Sequence, residues 1–208
     1  MRGKFFVLEG MDGTGKTTQA QILCQALERI GRSVLHLREP GTTDAGERLR
    51  AQLLAPERKS WQPRTESLVF FAARNELLQT QILPALAAGT DVVCERFTPS
   101  TLAYQAQEQR DVSFVLALDD LVVESDSQPD CVLILECSLK ITARRMAARE
   151  GVADAFEQRD HGFHEQVRAG YQHYAEARPD TACLILADGS PEEVAARIWH
   201  QLQQRKHL

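Results

Sequence analysis

A five-stranded parallel β-sheet covered by helices on both faces, an α/β fold, is what this 208-residue sequence predicts. Three observations carry that expectation. Short, continuously apolar runs recur along the chain, of the kind a parallel sheet buries on both sides. Helical patterns alternate with them in the βαβ rhythm. Residues 10–17 read Gly10-Met11-Asp12-Gly13-Thr14-Gly15-Lys16-Thr17, a complete G-x-x-x-x-G-K-[ST] phosphate loop between a strand pattern and a helix pattern.

The elements follow in order. Phe5 to Leu8 is the first strand and Lys16 to Ile30 the first helix. Val34 to Leu37 is a second strand, followed by the loop Arg38-Glu39-Pro40-Gly41-Thr42-Thr43, which Pro40 and Gly41 punctuate, and a short helix from Ala45 to Leu54. After the connector Trp61 to Pro63, a long helix runs from Thr65 to Ala88 and stops at Gly89, a natural cap. Val92 to Cys94, Cys131 to Leu135 and Cys183 to Leu186 complete the sheet. Helices at Ser100 to Gln109, Val112 to Val123, Leu139 to Arg149, Phe156 to Ala177 and Pro191 to Gln204 separate and follow them. The length fits one compact domain, residues 1–208, without metal or disulfide staples.

Composition narrows the class. A net charge of −5 argues against a nucleic-acid partner, which wants a basic face. No run approaches 18 apolar residues, so no membrane span is expected, and the opening Met1-Arg2-Gly3-Lys4-Phe5 meets Glu9 too soon for a signal peptide. Cys24, Cys94, Cys131, Cys137 and Cys183 are scattered, with no C-x-x-C pair, and read as reduced core thiols of a cytoplasmic protein.

The phosphate loop points to a nucleoside triphosphate and to the P-loop NTPase fold. Glycines at 10, 13 and 15 permit the tight turn in which backbone N–H groups of residues 10–18 face phosphate oxygens at a helix N-terminus. Lys16 would reach the β- and γ-phosphates, and the Thr17 hydroxyl would hold Mg²⁺. Thr18 is a further ligand candidate or simply a helix residue. Arg38 and Arg96 follow apolar strands directly, so their guanidinium groups emerge where ligands bind and suit bidentate phosphate contacts. Asp12 places a carboxylate beside the transferring group. Phe70 and Arg74 share a helix face at i, i+4, a plate and a donor suited to a base. Read alone, either arginine also fits a surface ion pair, Asp12 a turn cap, and Phe70 and Phe71 a core.

These segments together resemble the bacterial thymidylate kinases nearly end to end. Besides the phosphate loop through Thr18, the family's R-E-P-G-G-T…G-E…R stretch is matched by Arg38-Glu39-Pro40-Gly41-Thr42, Gly46-Glu47 and Arg50. Its F-A-A-x-R helix is matched by Phe70-Phe71-Ala72-Ala73-Arg74, and D-R-[YF]…A-Y-Q by Arg96-Phe97 and Ala103-Tyr104-Gln105. Gln128-Pro129-Asp130 corresponds to the R-P-D before the fourth strand. The resemblance implies transfer of the γ-phosphoryl group of ATP, with Mg²⁺, to dTMP. It implies the thymine ring on Phe70, Arg74 on a base carbonyl, and Arg96 on the acceptor phosphate. Tyr104 would crowd the sugar 2′ position, Gln105 would contact base or sugar, and Asp12 would hold the 3′-hydroxyl or a metal-bound water. Arg145 and the backbone near Asp188-Gly189-Ser190 would lie against adenine. Family members are commonly dimers, which implies a homodimer here, with the long helix in the contact.

The pattern departs in places that matter for chemistry. The family's D-R-[YF] is Glu95-Arg96-Phe97, an added methylene that shifts a carboxylate by about 1 Å, although Glu95 can still serve a metal through water. The glycine-rich loop after Tyr104-Gln105 is Ala106-Gln107-Glu108-Gln109-Arg110, and the strand-end acid of L-D-V is Glu136. In a lid over about residues 149–162, the family's D-R-[IF]-E is Asp154-Ala155-Phe156-Glu157, so either Arg149 or Arg159 takes the place of the family's transition-state arginine or the enzyme is slow, with Arg149 favoured at the helix-to-lid junction. Two other readings stay open: a related kinase with a shifted deoxynucleotide acceptor, and a catalytically impaired ATP-binding regulator of the same fold.

Overall fold

The computed structural model describes residues 2–55, 61–106, 111–148 and 154–208. Five strands, β1 (Phe5–Gly10), β2 (Val34–Arg38), β3 (Asp91–Glu95), β4 (Cys131–Glu136) and β5 (Ala182–Leu186), form one all-parallel sheet in the order β2-β3-β1-β4-β5. β1 therefore lies at the centre, and the chain crosses over it between β3 and β4. The carboxyl ends of β1, β3 and β4 frame the crevice in which this class of sheet binds ligands.

The period of two along each strand divides the core into two layers. Phe5, Val7, Val92, Cys94, Val132 and Ile134 face one side, where they pack with α3 (Pro63–Leu77), α5 (Thr98–Gln105), α6 (Val112–Val122) and α8 (His161–Ala177). Phe6, Leu8, Val93, Cys131, Leu133 and Leu135 face the other, against α1 (Lys16–Arg29) and α9 (Pro191–Gln204). Among the described residues, the remaining α-helices are α2 (Asp44–Leu54), α4 (Leu83–Ala87) and α7 (Leu139–Ala147). Among the described residues, no helix is long and apolar enough to cross a membrane.

The expected long helix from Thr65 to Ala88 is two α-helices, α3 and α4, joined by a π-helical turn over Leu78–Ile82. Pro84 explains the interruption. It has no N–H for the carbonyl of Thr80, and its ring would collide with that carbonyl in a regular helix. Widening the turn so that the Leu83 N–H bonds the Leu78 carbonyl relieves both problems. Gly89 does end the segment, at φ 80°, with its N–H on Leu86 and that of Thr90 on Ala85.

The helix expected from Phe156 begins instead at His161. Asp160 caps it by accepting from the Phe163 N–H at 2.8 Å, while Asp154 accepts from the N–H groups of Phe156 and Glu157 and holds a separate turn. The helix after β3 starts at Thr98 and closes at Gln105, and that after β4 closes at Ala147. Residues 107–110 of the altered loop lie outside the described residues.

Leu133 is fully buried on β4, whereas Ile30 is half exposed after α1. Leu133→Ala should cost about 2–5 kcal/mol of unfolding free energy, and Ile30→Ala less than about 0.5, in urea titrations monitored by circular dichroism.

Candidate active site

The phosphate loop is built by contact as much as by conformation. Gly10, Gly13 and Gly15 have φ of 128°, 79° and 98°, values that L side chains rarely adopt. A Cβ on Gly10 would also lie 2.4 Å from the Leu135 carbonyl oxygen, so the crossing of β4 beside the loop requires glycine there. Lys16 donates to the carbonyls of Gly10 and Met11, both at 2.9 Å, and lies 3.7 Å from Asp12. Burial and the nearby Arg96 charge pull its ammonium down to about 8, against Asp12, Glu9 and Glu95.

At the start of α1 the Thr17 hydroxyl donates to Glu95 Oε2 at 2.6 Å, and His36 Nε2 lies 3.0 Å from Glu95 Oε1. Burial alone would raise the Glu95 carboxyl. Hydrogen bonds from His36 and Thr17, with the nearby Lys16 charge, hold it below the usual glutamate range. Hydroxyl and carboxylate thus stand side by side in a cleft of about 680 Å³ that the loop lines.

Arg96 leaves β3 in the left-handed region at φ 69°, an unusual conformation for a residue with a side chain. The fully buried carboxylate of Glu9 holds the turn that follows. It accepts from the Phe97 N–H at 2.7 Å, the Ser100 N–H at 3.1 Å, the Ser100 hydroxyl at 2.7 Å and the Tyr171 hydroxyl at 3.0 Å. Four donors replace the hydration that a charge loses on burial. The Arg96 guanidinium then reaches Asp12 at 2.5 Å, Ser100 at 3.1 Å and Tyr171 at 3.3 Å, and lies over the Tyr104 ring. Against its own burial, Asp12 is driven well below the ordinary carboxylate range by Arg96 and Lys16, with hydrogen bonds from Arg96 and Tyr104 adding to the effect.

A second, smaller cavity of about 80 Å³ opens on the other side of Asp12 and Arg96. Phe70, Arg74, Tyr104 and Gln105 all line it, as the sequence pattern expects. Phe156 lines it as well, with ring centroids 6.1 Å from Phe70 and 5.9 Å from Tyr104. Arg74 is almost fully buried between the rings of Phe71 and Phe97. It donates to Glu39 at 2.9 Å and Thr101 at 3.2 Å, leaving Nη1 and Glu39 Oε1 without partners among the described residues. Burial pushes the Glu39 carboxyl up to about 7 even beside this guanidinium. Gln105 donates its amide to Glu66 at 3.0 Å.

Several expected residues sit elsewhere. Met11 contributes its carbonyl to Lys16 while its side chain packs in the core, and Thr18 lines the phosphate cleft from the exposed side. Arg38 also lines that cleft rather than the aromatic cavity, in an ion pair with Glu47 at 2.8 Å. Arg145 ties the phosphate loop to the last loop, donating to the carbonyls of Gly13, Thr14, Ala187 and Gly189. Arg149 lies outside the described residues. Arg159 rests against Glu66 at 4.0 Å and over the Phe163 ring. Sequence reasoning missed Glu9, Ser100 and Tyr171 as site residues, and named Glu39, Arg50 and Phe156 only within motifs. Arg50 lines both cavities, together with Asp12, Glu39 and Arg96.

Comparison with known proteins shows the family. The sequence model of the thymidylate kinase family matches residues 8–198. The chain belongs to the thymidylate kinase family. It is 39% identical to the thymidylate kinase of Dichelobacter nodosus over 206 residues, which cover 98% of each chain. With that of Caulobacter vibrioides it shares 38% over 208 residues, 100% of this chain and 99% of the other. Among solved structures, the thymidylate kinase from Ehrlichia chaffeensis superposes with a TM-score of 0.79 at 29% identity, covering 98% of this chain and all of that one. In this member of the thymidylate kinase family, the two cavities share a wall made of Asp12, Glu39, Arg50 and Arg96.

Glu9→Gln preserves shape but turns one acceptor into a donor that faces donors. It should cost about 1–3 kcal/mol of stability for each unsatisfied group, measured by chemical denaturation.

Proposed function

We propose that this enzyme transfers the γ-phosphoryl group of ATP to dTMP through a direct in-line displacement. One observation carries the reading: a phosphate cradle and an aromatic cavity meet at Asp12, Arg50 and Arg96, so a donor and an acceptor phosphate can face each other across one shared wall. The attacking group is an oxygen of the acceptor phosphate. Its bond to the γ-phosphorus forms as the bond from that phosphorus to the β,γ-bridging oxygen breaks, releasing ADP. An ionised phosphate needs no protein base, so positioning and charge neutralisation supply the catalysis.

The placement of the side chains supports the following roles. Amides of residues 10–18 and Lys16 hold the donor phosphates, and Arg145 brings the adenine-side loop to them. Arg96 and Arg50 take the acceptor phosphate, with Arg38 at the rim of the same cleft. Phe70 stacks on the base. Arg74 offers its unpartnered Nη1 to a base carbonyl, Gln105 borders the base, and Tyr104 borders the sugar. Asp12 orients Arg96 and Lys16 and lies where an acceptor hydroxyl would meet it.

Thr17 and Glu95 fit Mg²⁺, since their oxygens are the hard donors it prefers and two protein ligands leave room for water and substrate phosphate. Held by these two residues, Mg²⁺ would supply charge neutralisation to the donor phosphates. Arg149 remains our choice for the lid arginine, because Arg159 is engaged beside Glu66. The relatives do not favour the shifted-acceptor or impaired-regulator readings.

We also place the enzyme in the cytoplasm, where its five free thiols stay reduced. We propose a homodimer joined through the packed helices α3 and α6, where Leu68 and Leu121 are 51% and 77% exposed. Leu121→Asp should then lower the sedimentation coefficient to that of a monomer.

In an ADP-release assay across dTMP, dUMP, dGMP, dCMP and AMP, dTMP should give the highest kcat/KM. Absence of that preference would defeat the substrate assignment. Phe70→Ala should raise the KM for dTMP about tenfold to a hundredfold, consistent with about 1–3 kcal/mol of lost stacking, with kcat less affected.

A further inference from the structure

Thymidylate kinase resemblance leads one to expect aspartate at the end of β3, and Glu95 there extends the side chain by one carbon–carbon bond, about 1.5 Å. Free in the cleft, the longer carboxylate would sample several rotamers and hold the Thr17 hydroxyl only part of the time. The structure contains a restraint against this. His36 lies opposite Val93 in the β2–β3 register, and Val93 and Glu95 are two residues apart, so all three side chains project from the same face. His36 and Glu95 are thus diagonal cross-strand neighbours, a spacing that long side chains bridge. Nε2 of His36 stands 3.0 Å from Glu95 Oε1, and the Thr17 hydroxyl stands 2.6 Å from Oε2. A carboxylate acceptor requires the hydrogen to be on Nε2. Each carboxylate oxygen is therefore fixed by a different strand or helix.

We propose that His36 is a positioning residue that compensates for the longer side chain of Glu95, holding its carboxylate beside Thr17 in the orientation that serves the metal–nucleotide. The proposal rests on the reading of Thr17 and Glu95 as the magnesium-side ligands. His36 does not line the phosphate cleft, so its influence passes through Glu95 and not through contact with substrate. It is nearly a third exposed, so its replacement removes little packing. The same logic makes the pair interdependent: an aspartate at 95 ends short of His36, and the histidine then has nothing to hold.

The test is a double-mutant cycle read by Mn²⁺ binding to the enzyme–ADP complex, using electron paramagnetic resonance, with steady-state kcat and KM for dTMP alongside. His36→Ala should weaken Mn²⁺ binding about tenfold, the lower end for an outer partner of a metal ligand, and lower kcat while leaving the KM for dTMP within twofold. His36→Gln places an amide N–H the same number of bonds from Cβ and should restore most of the loss. In a Glu95→Asp background, His36→Ala should change Mn²⁺ affinity by less than twofold. Unchanged Mn²⁺ affinity in His36→Ala, or an equal loss in both backgrounds, would overturn the proposal. Glu95→Ala separates the two levels. If it leaves Mn²⁺ affinity unaltered, the metal reading itself fails. If it weakens binding while His36→Ala does not, only the role of His36 fails.

Discussion

A single buried carboxylate sets the geometry on which the site depends. Glu9 ends the apolar run of the central strand with no exposed surface, and its charge is tolerated only because four donors from the turn after β3 and from α8 converge on it. Those donors are in turn tied to the turn after β3 and to α8. The chain leaves β3 through a left-handed Arg96, enters α5 with its N-terminal N–H groups on Glu9, and is joined to α8 through Tyr171. The strained backbone at Arg96 is held by an interaction whose loss would leave a charge unsolvated. This is a strong constraint for a position that must keep a guanidinium aimed at a reacting phosphate.

From that turn outward, the arrangement of charge follows an order. Arg96 and Lys16 drive Asp12 to stay ionised, and Asp12 orients both cations at the wall between the two cavities. On the donor side the groups are polar: loop amides, Lys16, Thr17 and Glu95. On the acceptor side they are aromatic, with Arg74 buried among Phe71 and Phe97 and an unpartnered nitrogen left over. A phosphate suits the first environment and a planar base the second. The boundary between them is where a phosphoryl group would pass.

Much of this is legible in the amino-acid sequence. The sheet, the phosphate loop and the face shared by Phe70 and Arg74 are local patterns, fixed by strand period, glycine conformation and helical spacing. What the sequence does not reveal depends on residues far apart in the chain. Glu9 looks like the polar end of a strand until Ser100 and Tyr171 fold onto it. Phe156 looks like the apolar face of a helix, because nothing adjacent in sequence reveals that Asp154 and Asp160 cap two different segments. Pro84 was legible in principle, since a proline within a helical run disturbs its i−4 carbonyl. The β3 glutamate reads only as a departure from the family pattern, because its histidine partner lies 59 residues away on a neighbouring strand.

The most direct test is a crystal structure with a bisubstrate ligand joining the dTMP and ADP moieties. The account predicts donor phosphates in the loop at Lys16, the thymine on Phe70 beside Arg74, and the acceptor phosphate on Arg96 with its left-handed turn still bound to Glu9. Thymine bound outside the aromatic cavity, or an Arg96 side chain turned away from the phosphates, would contradict it.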